Sequence, residues 1–184
     1  MSLLVAAGIA AVVCAGCGKG YRSAQASNPA DAAAAAIDQY DSNNDGALDA
    51  NELEASLALA DALSRIDSNS DGKLAVDEIE ARLRQYASLS EFIAGEVSVT
   101  RNGQPVEAAE VTFTPEPFMG DGLPVYQGTT GNAGTTSMLT DPPTPGVAVG
   151  FYRVTIKTSD GEEIQRGVEI ADDSPTSTRI GLEI

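Results

Sequence analysis

Apolar and polar positions follow two different periods along this chain. From Pro29 to about residue 88 the apolar residues fall at helical spacing, and from residue 92 onward they alternate as in strands. Asn28-Pro29 predicts an N-cap followed by proline at the first helical position, and Ala32 to Ala36, Ile37 and Tyr40 continue that helix. In the second half Ile93 to Thr100 predicts a strand with Val97 and Val99 on one face. Asn102-Gly103 predicts a hairpin turn. Further strands are expected at Glu110 to Thr114, Val125 to Thr130, Thr135 to Leu139, Phe151 to Lys157, Ile164 to Ile170 and Ile180 to Ile184. The fold class is therefore α+β as two domains: a short helical unit at 29–88, then an antiparallel β-sandwich of about seven strands at 92–184. The boundary falls near Leu89-Ser90, where the composition changes. Two units of such different composition are expected to unfold separately.

The helical part contains an internal repeat. Asp41-Ser42-Asn43-Asn44-Asp45-Gly46 recurs as Asp67-Ser68-Asn69-Ser70-Asp71-Gly72, 26 positions on, and the flanking apolar residues repeat in the same register: Ile37 with Leu63, Tyr40 with Ile66, Leu48 with Leu74, Leu53 with Ile79. Oxygen donors sit at loop positions 1, 3, 5 and 12, with glycine at 6, which suits a hard divalent cation wanting six to eight oxygens from a tightly wrapped chain. In the first loop these are Asp41, Asn43, Asp45 and Glu52, with the Ala47 carbonyl at position 7 and Asp49 at position 9. In the second they are Asp67, Asn69, Asp71 and Glu78, with the Lys73 carbonyl at 7 and Ala75 at 9, where a water must serve. Over Asp31 to Ala87 the chain closely resembles the EF-hand family, and the resemblance implies Ca²⁺ as the bound ion.

Only 14 residues, Leu53 to Ile66, separate the loops. As one straight helix they would span roughly 21 Å, too far for the loops to lie side by side. This stretch has no Met and no Phe, which argues against the Met-rich groove of a calcium sensor. Residues 25–80 hold 13 acids and two bases, a net of −11, so the empty unit repels itself and a cation relieves it.

Charge and composition narrow the function classes. The formal net charge of −16 argues against nucleic acid, which needs a basic face. The chain has no histidine, and its two cysteines, Cys14 and Cys17, are both near the start. Histidine triads, histidine-ligated zinc and a downstream thiol nucleophile are thereby excluded, and no nucleophile-elbow pattern is present, so no enzyme activity is expected. Carboxylates such as Glu107, Glu110, Asp160, Glu162 and Glu163 are scattered and read as solvated faces. Phe118, Tyr126 and Phe151 fit either core anchors or a sugar-stacking platform.

The uncharged run Leu3 to Val13 is shorter than the roughly 20 residues of a spanning helix and suits a signal-peptide core. With Ala15-Gly16-Cys17 after it, the segment resembles the bacterial lipoprotein processing site. That resemblance implies a signal peptide at 1–16, acylation of Cys17, a tether at 17–28, and a lipid-anchored location in the cell envelope facing the periplasm or the exterior. Gly95-x-Val97, Asn102-Gly103-Gln104-Pro105-Val106, Ala108-Ala109-x-Val111-Thr112-Phe113-Thr114-Pro115, Gly128-Thr129-Thr130, Gly134 and Gly150-x-Tyr152-Arg153-Val154-Thr155-Ile156 resemble carboxypeptidase-regulatory-like domains. This implies a transthyretin-like, non-catalytic accessory module. The expected function is a calcium-binding envelope lipoprotein with a structural or protein-interaction role, its partner an envelope protein or a glycan. The alternative is an accessory module that binds carbohydrate or peptide on the sandwich loops.

Overall fold

Helix α1 (Pro29–Tyr40) begins where the Asn28 side chain accepts a hydrogen bond from the Ala30 N–H at 3.1 Å, as an N-cap does. The computed structural model describes residues 28–89, 91–93, 95–140, 146–176 and 179–184. The signal peptide, Cys17 and all of the tether but Asn28 lie outside them. Among the described residues no helix is long and apolar enough to cross a membrane. The buried face of α1 is Ala32, Ala33, Ala36 and Tyr40, and its three alanines are small enough to let α1 approach the later helices closely. There follow β1 (Ala47–Leu48), α2 (Ala50–Leu53), α3 (Leu57–Ile66), β2 (Leu74–Ala75), α4 (Val76–Gln85) and a 3-10 turn at Tyr86–Ser88.

The two loops lie side by side, a pairing that their short spacing had put in doubt. β1 and β2 pair antiparallel, Ala47 opposite Ala75 and Leu48 opposite Leu74, and both leucines are fully buried. The short linker allows this because it is not one helix. The chain turns at Glu54–Ser56, where the N–H groups of Ala55 and Ser56 donate to Glu52 and Leu53 carbonyls, and α3 then starts in a new direction.

The second half forms β3 (Phe92–Ile93), β4 (Glu96–Arg101), β5 (Gln104–Pro105), β6 (Glu110–Pro115), β7 (Tyr126–Thr129), β8 (Thr135–Ser137), β9 (Val147–Ala148), β10 (Gly150–Lys157), β11 (Glu163–Ile170) and β12 (Ile180–Glu183). One sheet has the order β11-β10-β6-β7. In the other β4 lies between β12 and the pair β5 and β8, and β3 and β9 form a small ribbon. The pairing is antiparallel except that β12 runs parallel to β4. Inward residues of both sheets, including Val97, Val99, Phe113, Tyr126, Tyr152, Ile156, Ile170 and Ile180, join one core. The predicted Asn102-Gly103 turn is present, with both residues at positive φ.

The helical and β units share an extensive junction. Residue Gly167 of β11 lies directly under the start of α3: a Cβ there would sit 1.9 Å from the Leu57 backbone. The rings of Tyr40, Phe118, Phe151 and Tyr86 form a row across the boundary, with centroids 5.7 to 6.3 Å apart. Each end of the row meets a fully buried glutamate from the β unit. Glu116 accepts from the Tyr40 hydroxyl at 2.8 Å, and Arg153 stands 3.6 Å from the same oxygen. Glu169 accepts from Arg65 at 2.8 Å, Arg82 at 2.5 Å and the Tyr86 hydroxyl at 2.8 Å. Burial, with Glu169 beside it, pushes the Tyr86 hydroxyl well above its ordinary pKa. The expectation of two separately unfolding units finds no support here, because both units contribute to one polar and aromatic boundary.

Candidate metal centre

Backbone geometry prepares both loops for a cation. In the first, Asn44 and Gly46 have positive φ, and in the second Ser70 and Gly72 do. These left-handed residues turn successive N–H groups inward. Asp41 accepts from the N–H groups of Asn44 at 2.6 Å and Gly46 at 2.8 Å. Asn43 Oδ1 accepts from the Asp45 N–H at 2.8 Å, and Asp45 Oδ1 from the Ala47 N–H at 3.1 Å. The second loop repeats the pattern: Gly72 N–H to Asp67, Asp71 N–H to Asn69, and Lys73 N–H to Asp71, all at 2.8 to 2.9 Å.

The glutamates at position 12 close each loop. Glu52 Oε1 accepts from the Ser42 N–H, the Ser42 hydroxyl and the Asn43 N–H, while Oε2 accepts from the Asp49 N–H. The Asp49 N–H leads the groups that hold the Glu52 carboxyl below its ordinary pKa. Glu78 makes the equivalent bonds to Ser68, Asn69 and the Ala75 N–H. Asp49 is also the N-cap of α2 and forms a capping box with Glu52. Ser42 and Ser68 hold the closing glutamates, a role that reading the ligand positions alone did not assign. Their signal was the exact recurrence of Asp-Ser-Asn in both loops.

Asp41, Asp45 and Glu52 each bring a carboxylate oxygen within 4.8 Å of the others, and among the described residues they are the one set of three acids that does so. Hard oxygen donors gathered this closely fit a divalent cation. Asn43, Asp49 and the Ala47 carbonyl stand at the remaining positions of the same loop. The acids of the second set, Asp67, Asp71 and Glu78, do not meet within that distance; Asn69 and the Lys73 carbonyl stand at its remaining positions.

Lys73 has a feature that its loop position did not reveal. Its ammonium crosses from the second loop to Asp45 Oδ2 in the first, at 2.7 Å. The Lys73 hydrogen bond leads the interactions that hold the Asp45 carboxyl below its ordinary pKa. The lysine thus stands against a predicted ligand of the first loop while its carbonyl belongs to the second.

A family model described as EF hand matches residues 33–58, which take in the first loop and much of the helix on either side of it. No curated protein matches the chain. The match supports a calcium-binding module in this segment, and the β-rich unit follows it along the chain. In that unit Phe118, Tyr126 and Phe151 are buried, so the aromatic platform considered for sugar stacking is core instead.

Proposed function

We propose that this chain is a calcium-binding lipoprotein of the bacterial cell envelope, in which Ca²⁺ orders the EF-hand module and the protein has a structural or protein-interaction role. The observation that carries the calcium reading is the convergence of Asp41, Asp45 and Glu52 in a loop already wrapped by its own N–H groups. The side chains of Asp41, Asn43, Asp45, Asp49 and Glu52, with the Ala47 carbonyl, hold the first ion. Asp67, Asn69, Asp71, Glu78 and the Lys73 carbonyl hold the second. Bound calcium supplies charge neutralisation and a rigid cross-link, and no catalytic step is assigned to it. The β unit acts as a carboxypeptidase-regulatory-like accessory module.

Calorimetry is expected to resolve two unequal sites, the first tighter. The first loop offers four carboxylates and the second three, and more anionic ligands attract the ion more strongly. Glu52→Gln should remove the stronger phase and Glu78→Gln the weaker. Two equal phases, or a stronger phase that survives Glu52→Gln, would show that ligand count does not set the order.

The anchor reading rests on Ala15-Gly16-Cys17 after an uncharged apolar run. Cys17→Ser should yield an unacylated protein that stays in the aqueous layer on detergent phase separation. Partition into detergent equal to that of the parent counts against the anchor.

A further inference from the structure

Glu169 is unlike the scattered surface acids of the β unit. It is fully buried, and the three side chains that donate to its carboxylate, Arg65, Arg82 and Tyr86, come from the helical side of the junction. Their positions are specific. Arg65 is in the last turn of α3, immediately before the second loop opens at Asp67. Arg82 is in α4, one turn beyond Glu78 and on the same face of that helix. The two arginines therefore stand at the entry and the exit of the second loop. One carboxylate spans them, Oε2 to Arg65 and Oε1 to Arg82.

The fixation is firm at each contact. Arg82 is 6% exposed and forms a second, bidentate pair with Asp173 at 2.7 and 2.8 Å. Its guanidinium also lies over the Tyr86 ring, 5.3 Å from the centroid. A cleft of about 230 Å³ runs between the helices from Arg65 and Arg82 to Ser68 and Glu78. Ser68 is the residue whose N–H and hydroxyl hold Glu78 Oε1. The geometry of loop closure thus continues from Glu78 through α4 to Arg82, and from Asp67 back through α3 to Arg65.

We propose that Glu169 is a positioning residue for the second calcium loop: it fixes the entry and exit helices of that loop at the separation that brings Asp67 and Glu78 to one ion. The inference rests on the calcium reading above. It assigns to the β unit a part in metal affinity, beyond that of an attached module. Among the described residues no carboxylate takes two arginines from the helices that flank the first loop, which carry none. Glu116 holds the Tyr40 hydroxyl at its entry and pairs at 3.6 Å with Arg153, itself of the β unit, which reaches the exit by donating to the Ala55 carbonyl. The effect should accordingly be selective for the second loop.

The test uses the full chain in the Glu52→Gln background, so that the second loop alone reports, with calorimetric calcium titration as the readout. Adding Glu169→Gln, close in shape but uncharged, is expected to weaken binding about three- to tenfold, as for residues coupled in one network. The same change in the Glu78→Gln background should move the first loop less than twofold. General loosening would lower both equally, and that outcome, or an unchanged second loop, overturns the proposal. Should Glu169→Gln not fold, Asp173→Asn, on a half-exposed side chain, releases one arm of Arg82 while leaving the buried contacts in place. It should weaken the second loop about twofold, and no change there also overturns the proposal. If the parent chain takes up no calcium at all, the calcium reading itself fails. If the parent binds and the variants do not differ from it, only the role of Glu169 fails.

Discussion

Gly167→Ala is expected to lower the thermal midpoint of the whole protein by about 10 °C. The added methyl carbon would meet the Leu57 carbonyl carbon and oxygen at 1.9 Å and the Ala58 nitrogen at 2.2 Å. These are backbone atoms of the first turn of α3, so no rotamer change relieves the clash, and either α3 lifts from the sheet or β11 bends. Overpacking costs of this kind run to about 3 kcal/mol and above. At about 2–4 °C per kcal/mol for a protein of this size, the midpoint should fall by that order. Gly181→Ala in β12 is the control, since its nearest neighbour is the Ser98 hydroxyl at 3.9 Å, an ordinary contact. Thermal unfolding followed by circular dichroism compares the two. A Gly167→Ala midpoint within 2 °C or so of the parent would mean that α3 does not bear on β11 as described.

Gly167 and its surroundings also show where sequence reasoning stops. The loops were legible residue by residue, because an EF-hand loop is a local object: ligand, turn and glycine lie within twelve positions. The Asn28 cap, the Asn102-Gly103 hairpin and the strands from β6 to β12 were legible for the same reason, apart from the short β9. The path between the loops was not. Nothing in Glu54-Ala55-Ser56 forbids a continuous helix, and the straight-helix estimate followed from that. The break is held by tertiary contacts instead. Arg153 of β10 donates to the Ala55 carbonyl at 3.1 Å, satisfying a group freed where α2 ends, and α3 restarts over Gly167. Both partners lie about a hundred positions downstream.

The buried acids left a fainter mark. Glu169 sits between Val168 and Ile170 and is followed by Ala171, a carboxylate in an otherwise apolar strand end. Alternation places it on the face opposite Val168 and Ile170, which reads as solvent if the sheet has one covered face. The helical unit covers this second face, so both sides of the strand end are interior. An acid there needs cationic partners, and Arg65 and Arg82 are two of the three basic residues among the three longer helices α1, α3 and α4.

Calcium removal is expected to move one transition shared by both units. The ion binds the helical unit, but α3 is seated on β11, and Tyr40, Phe118, Phe151 and Tyr86 pack in a continuous row across the boundary. Lifting the helices off would part Glu169 from Arg65 and Arg82 and expose those rings, at about 1.5–3 kcal/mol for each phenylalanine taken from full burial to water. Calcium stabilisation is smaller. A site of about 10⁻⁴ M at millimolar calcium contributes roughly 1.4 kcal/mol. The junction therefore outweighs the ion, and the units should remain coupled with or without it. Chelation should lower a single midpoint by about 3–6 °C for the first site alone. The helical signal in the far ultraviolet and the tyrosine signal in the near ultraviolet should fall together, since Tyr126 and Tyr152 are buried in the β unit while Tyr40 and Tyr86 border the helices. Two resolved transitions, of which only the helical one responds to chelator, would show that the junction does not couple the units.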